Sequence, residues 1–147
     1  EMWNKVENLT HELIKDADAD VHLHFAEAPT VFFNNIYLES IFLNLFTNAL
    51  KYRASGRKCR IDITSTEDNE HVILAFKDNG LGIDLERYEK RIFGLYQRFH
   101  NHPDSRGLGL YIIASQIKAL GGRIEVESTV DVGTCFRVYF RKQDAIL

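Results

Sequence analysis

Hydrophobic and polar positions follow two rhythms along the chain, one of about 3.6 residues and one of two, and these divide it into elements. In "MWNKVENLTHELIKDA", Trp3, Val6, Leu9, Leu13 and Ala17 recur at helical spacing and predict a first helix. "VHLHF" and "TVFF" lie on either side of Pro29 and read as two short extended pieces of a hairpin-like unit. From Asn35, "NIYLESIFLNLFTNALKYR" puts Leu38, Ile41, Phe42, Leu45 and Ala49 on one stripe. Ser40, Asn44, Asn48 and Lys51 fall on another, so this is a long helix with a polar edge.

The rhythm then shortens. "CRIDITST" and "HVILAFKDNG" alternate, with Ile61 and Ile63 on one face and Val72, Leu74 and Phe76 on another, an antiparallel pair turning near "EDNE". "LERYEKRIFGLYQRFHNHPDSRG" has no sustained period and is too long for an ordinary connection, as a lid would be. "GLGLYIIASQIKALGG" returns to helical spacing through Leu110, Ile113, Ala114 and Ile117 and ends in Gly121-Gly122, a C-cap signal. "GRIEVEST" and "TCFRVYFR" alternate again, with Ile124 and Val126, then Phe136, Val138 and Phe140, turned inward. One apolar and one polar face per strand predicts an α+β class. The expectation is a two-layer sandwich, its mixed, mostly antiparallel sheet covered on one face by about three helices.

Composition narrows this to one domain over residues 1–147. The chain has 147 residues, 45% of them hydrophobic, enough for one core and too few for two comfortable ones. A formal net charge of -3 with no long basic stretch argues against a nucleic-acid groove. Cys59 and Cys135 show no metal-ligand spacing and read as core or near-core residues of a reducing, cytoplasmic compartment. No apolar run reaches membrane-spanning length and "EMWNKVENL" lacks signal-peptide order, so a membrane anchor, if the parent protein has one, lies outside this chain.

Four stretches carry candidate chemistry. Asn44 and Asn48, four apart on the long helix, present amide carbonyls on adjacent turns, which suits a hard cation that keeps most of its waters. Asp78 ends a strand just before Gly80 and Gly82; its carboxylate can accept from an exocyclic amine. The glycines let a flat ring approach the backbone, and Ile83 offers an apolar face. "SRGLGLYI" puts Gly107 and Gly109 where a helix begins and unpaired N–H groups favour phosphate. "DVGTCF" places Gly133 and Thr134 ahead of a strand. Taken singly these are an ordinary amide pair, a common turn, a packing glycine pair and a strand connection.

In this order the four resemble the N, G1, G2 and G3 boxes of the ATPase superfamily shared by histidine kinases, gyrase-type topoisomerases, Hsp90 and MutL proteins. The likeness is strongest to the catalytic and ATP-binding domain of sensor histidine kinases. It runs from about Leu9 to Arg141 and includes an F box in "IFGLYQRFH". The resemblance implies a Bergerat-type fold, ATP and Mg²⁺ as cofactors, and a flexible ATP lid over about residues 84–108. It also implies transfer of the γ-phosphate to a histidine on a separate dimerisation domain of the parent kinase, with a response regulator as indirect partner in two-component signalling.

By the same resemblance, Asn48 coordinates Mg²⁺, Asn44 supports the metal and phosphates, and Lys51 and Tyr52 lie near phosphate and ribose or base. Asp78 binds the adenine amino group, Gly80, Gly82 and Ile83 form the base pocket, and Thr134 assists through water. Arg98, following Phe93 and Tyr96 of the F box, reaches the γ-phosphate, and Gly107, Leu108 and Gly109 shape the lid. Two positions depart from the family pattern: Ser105 stands where the G2 box opens with glycine, and Gly94 where an acid often follows the F-box phenylalanine. Two other readings share the boxes, an anti-sigma-factor-like serine kinase and a non-catalytic nucleotide-sensing module.

Other motifs lead less far. "THELI" has a histidine followed by an acid, but there is no room between His11 and Asn44 for the two-helix hairpin that carries a phosphoacceptor. "DADADVHLHFAE" matches the acids of a calcium loop but has Val21 where the sharp turn needs glycine. His22 with His24, and His100 with His102, lack a third ligand and read as surface histidines.

Overall fold

The computed structural model describes residues 1–31, 33–88, 93 and 109–142. Five strands form one mixed sheet in the order β1-β2-β3-β5-β4. The strands are β1 (Asp20–His24), β2 (Arg60–Glu67), β3 (His71–Asp78), β4 (Arg123–Thr129) and β5 (Gly133–Arg141). β1 runs parallel to β2, and every other pairing is antiparallel. The helices are α1 (Met2–Leu9), α2 (His11–Ala17), α3 (Asn35–Lys51), the short α4 (Leu85–Tyr88) and α5 (Gly109–Ala119).

Alternation sets the layers. Ile61, Ile63, Val72, Leu74, Phe76, Phe136, Val138 and Phe140 are buried on one side of the sheet. The alternate residues of the same strands are more open. α3 lies on the apolar side with Leu38, Ile41, Phe42, Leu45, Phe46, Ala49 and Leu50 buried, and α5 beside it buries Ile113 and Ile117. Phe42 meets Phe76 edge to face at 5.1 Å, and Trp3 of α1 meets Phe46 in the same way at 5.1 Å. The helix-covered, mostly antiparallel sandwich expected from the pattern is what forms.

Local chemistry fixes the ends of the two main helices. Asn34 caps α3, its Oδ1 accepting from the amides of Ile36 at 2.9 Å and Tyr37 at 3.1 Å. After α5, Gly121 takes φ +81°, and the amides of Gly121 and Gly122 donate to Lys118 and Ile117 carbonyls at 3.1 and 3.0 Å, the Schellman stop.

Two expectations at the start of the chain are corrected. The single first helix is broken at Thr10, whose buried hydroxyl donates to the Val6 carbonyl at 2.7 Å; Trp3 and Val6 are buried, but Leu9 and Leu13 are 59% and 45% exposed. Among the described residues no hairpin forms around Pro29. "VHLHF" supplies β1, "TVFF" supplies no strand among its described residues, and β1 pairs in parallel with β2 after the crossover through α3.

Candidate functional site

The sheet register builds the floor of the site. Asp78 on β3 stands opposite Thr134 on β5, and Thr134 stands opposite Ser128 on β4, so three polar residues form one cross-strand row on the helix-covered face. The next row is apolar, with Phe76 opposite Phe136 and Phe136 opposite Val126. Above the polar row lies the C-terminal end of α3, with Asn48 and Tyr52. Between floor and helix is a cavity of about 30 Å³ lined by Asn48, Tyr52, Asp78, Gly82, Ile83, Leu110, Thr134 and Phe136.

Asp78 Oδ1 accepts from the Gly80 amide at 2.9 Å and the Thr134 amide at 3.3 Å. No donor among the described residues reaches Oδ2. Burial pushes the Asp78 carboxyl up to about 6; the Gly80 and Thr134 amides and the charge of Arg57 only partly offset it. A half-buried carboxylate is a stronger acceptor for an N–H than an exposed one.

Beside it, Ser128 Oγ donates to the Gly133 carbonyl at 2.9 Å, accepts from the Ile83 amide at 2.7 Å and lies 2.8 Å from Thr134 Oγ1. With the Ser128 hydrogen on Gly133, Thr134 donates to Ser128 and keeps its own lone pairs as acceptors. Gly82 takes φ +73°, and a Cβ there would fall on the Thr129 carbonyl oxygen. This close approach of the turn to the β4–β5 hairpin brings Ile83 into the cavity wall, and only glycine permits it.

Six of the residues singled out in the sequence therefore meet: Asn48, Tyr52, Asp78, Gly82, Ile83 and Thr134 all line the cavity. Gly80 supports it from behind through its bond to Asp78. Asn44 does not line it. Its Nδ2 donates to the Ser40 carbonyl at 2.8 Å, and its Oδ1 lies 2.6 Å from where a Cβ of Gly109 would stand, at the start of α5. Lys51 is half-buried at the end of α3 and does not line it either. Phe93 packs edge to face on the cavity-lining Phe136, with centroids 6.3 Å apart. Gly94, Tyr96, Arg98, His100, His102, Ser105, Gly107 and Leu108 lie outside the described residues.

Leu110, Phe136, Ser128 and Arg57 belong to the site or its support and were not legible in the sequence. Leu110 and Phe136 looked like ordinary core positions, and Ser128 gains its role only from the strand register. His11 opens α2 on the surface, and His22 and His24 lie near Asp20 at 3.0 Å and Asp62 at 3.4 Å. Among the described residues no three His, Cys, Asp or Glu side chains converge as metal ligands, and both cysteines are free.

Residues 34–144 match the family described as histidine kinase-, DNA gyrase B-, and HSP90-like ATPase. The chain belongs to this family. This ATPase domain is 32% identical over 136 residues to the histidine protein kinase SaeS of Staphylococcus aureus, covering 89% of the chain and 38% of SaeS. Its fold matches the nucleotide-free catalytic domain of histidine kinase ThkA with a TM-score of 0.80 at 24% identity, over 96% of this chain and 92% of that one. It likewise matches full-length ShkA in complex with AMPPNP, with a TM-score of 0.80 at 23% identity, over 99% of this chain and 31% of that one. The domain spans 15% to 38% of the length of the curated relatives it matches, so it corresponds to one part of larger sensor kinases. Among the described residues no helix is long and apolar enough to cross a membrane.

Proposed function

We propose that this domain binds Mg²⁺-ATP in the cavity between α3 and the Asp78–Thr134–Ser128 row. It presents the γ-phosphate to a histidine on a separate dimerisation domain of the parent kinase, from which a response regulator takes the phosphoryl group. The carrying observation is the half-buried Asp78 carboxylate, with one oxygen held by backbone amides and the other available to the adenine amino group, in a slot flanked by Ile83 and Phe136. The ShkA structure, of the same fold, holds an ATP analogue.

In this reading Asp78 selects the base, Gly80, Gly82 and Ile83 shape its slot, and Thr134 assists through water. Tyr52 and Lys51, at the end of α3, lie toward ribose and phosphate. Asn48 would hold Mg²⁺ through its neutral carbonyl oxygen, a donor this hard ion accepts beside phosphate and water. Asn44 supports that end and, with Gly107, Leu108 and Gly109, the phosphate side, while Arg98 reaches the γ-phosphate. When bound, the ion neutralises charge across the β- and γ-phosphates. In the transfer the bond between the γ-phosphorus and the β–γ bridging oxygen breaks, a P–N bond to the imidazole forms, and ADP leaves.

Calorimetry with AMPPNP and ADP, with and without Mg²⁺, tests the site. Asp78→Asn should abolish detectable binding and Asn48→Ala should remove the Mg²⁺-dependent gain; unchanged binding in both variants would refute the assignment. Adding the parent's dimerisation domain with labelled ATP then reads transfer. Nucleotide binding with no label on that domain would favour the nucleotide-sensing module.

A further inference from the structure

A basic side chain that lines no part of the cavity holds its frame together. Arg57, in the loop between α3 and β2, donates from Nε to the Asn79 carbonyl at 2.6 Å. Its Nη2 donates to the carbonyls of Gly80 and Asp131, both at 2.7 Å. Nε carries one hydrogen and Nη2 two, so every donor on that edge of the guanidinium has a carbonyl.

Those carbonyls belong to different segments. Asn79 and Gly80 lie in the turn that follows Asp78; Asp131 lies at the tip of the β4–β5 hairpin with φ +65°. Backbone bonds run in parallel. The Leu81 amide donates to the Tyr52 carbonyl at 2.9 Å, and the Asp131 amide donates to the Leu81 carbonyl at 2.7 Å. The end of α3, the turn and the hairpin are thus joined in one circuit, to which the Arg57 fork adds a side-chain bridge at the hairpin tip beside those of Asp78 and Ser128 nearer the floor.

We propose that Arg57 is a positioning residue for adenine recognition: its fork pins the turn after Asp78 to the β4–β5 hairpin and so fixes that wall of the base slot. This rests on the nucleotide reading above. A guanidinium suits the task because its planar donors are preset, whereas an ammonium is a flexibly tethered point charge. The effect concerns the base, so it is the same whether or not the ligand carries phosphates.

The test is calorimetry of adenosine and of ADP on the wild type, Arg57→Gln, Arg57→Lys and Asp78→Asn, with Lys58→Gln as a neighbour of equal charge change. Charge-assisted bonds of this kind lead us to expect Arg57→Gln to weaken adenosine and ADP alike, by about fivefold or more. Lys58→Gln should bind as the wild type does. Arg57→Lys should remain weakened, since charge without the fork does not restore the geometry. The pH midpoint of adenosine binding should rise in Arg57→Gln, because its charge favours the ionised Asp78. Loss confined to ADP would make Arg57 a phosphate contact, and full rescue by lysine would make it a point charge; either overturns the proposal, as does unchanged affinity in Arg57→Gln. If the wild type binds neither ligand, the nucleotide reading itself falls, and this inference with it. If the wild type binds and Asp78→Asn does not, while Arg57→Gln binds normally, only the role of Arg57 is lost.

Discussion

Asp78 and Thr134, 56 residues apart in sequence, stand opposite each other on β3 and β5, and the Thr134 amide donates to Asp78 Oδ1 at 3.3 Å. That one register contact joins two motifs that are each unremarkable alone. It leaves the carboxylate half-buried in the cavity that Asn48 and Tyr52 at the end of α3 also line. Such a group is poorly placed for stability and well placed for binding.

The cost of that placement is measurable. With its folded-state carboxyl raised to about 6 from an ordinary 3.8, the native state binds more protons than the unfolded chain between about pH 4 and pH 6. The stability linked to that protonation is complete below about pH 4, declines as pH rises, and is gone above about pH 6. Asp78→Asn keeps an oxygen acceptor for the Gly80 and Thr134 amides and removes the buried charge. Urea unfolding at pH 8 should show the variant more stable by up to about 3 kcal/mol, two pH units' worth of linkage, with the gain shrinking toward pH 4. A variant no more stable than the wild type at pH 8 would contradict the burial argument.

Binding should respond to pH in the opposite sense. Acceptance from the adenine amino group needs the ionised carboxylate, so affinity should be constant above about pH 7 and fall below about pH 6, approaching tenfold per unit. Adenosine is the right ligand because it has no phosphate to titrate. A flat profile from pH 5 to pH 8 would remove Asp78 from base recognition.

Asn48 should matter only when the metal is present. Asn48→Ala should reduce the affinity for ATP in Mg²⁺ by about tenfold or more, as for loss of a ligand to a hard cation, while ADP binding in a chelator stays within about twofold. Equal losses in both conditions would assign Asn48 to packing or to the nucleotide.

The backbone of the slot can be probed with two glycines. Gly82→Ala would force a side chain into a φ of +73° and onto the Thr129 carbonyl. It should destabilise the fold by about 1–3 kcal/mol and displace Ile83 from the cavity. Gly56→Ala, whose Cβ would meet nothing within 4 Å, should be neutral or slightly stabilising. Urea midpoints and nucleotide titrations of both variants separate the two positions; equal behaviour would sink the steric account.

Much of this was legible in one dimension, because periodicity reports burial directly. The α3 stripe, the two antiparallel pairs and the Gly121 stop all follow from local spacing and backbone preference. At the start of the chain spacing misled, since the Leu9 and Leu13 stripe is helical but faces outward, and β1 pairs with a strand that arrives only after α3.

From Asn35 onward the sequence determined which of the described residues form helix or strand, which face each buries, and which few side chains could recognise a base or a cation, since these depend on neighbours along the chain. Only the tertiary structure decided which of them meet. Strand register set Asp78 beside Thr134 and Thr134 beside Ser128, helix packing brought Asn48 over that row, and the Arg57 fork joined turn to hairpin. Register and packing are choices among partners distant in sequence, made by the fit of the whole core, and no local pattern carries them.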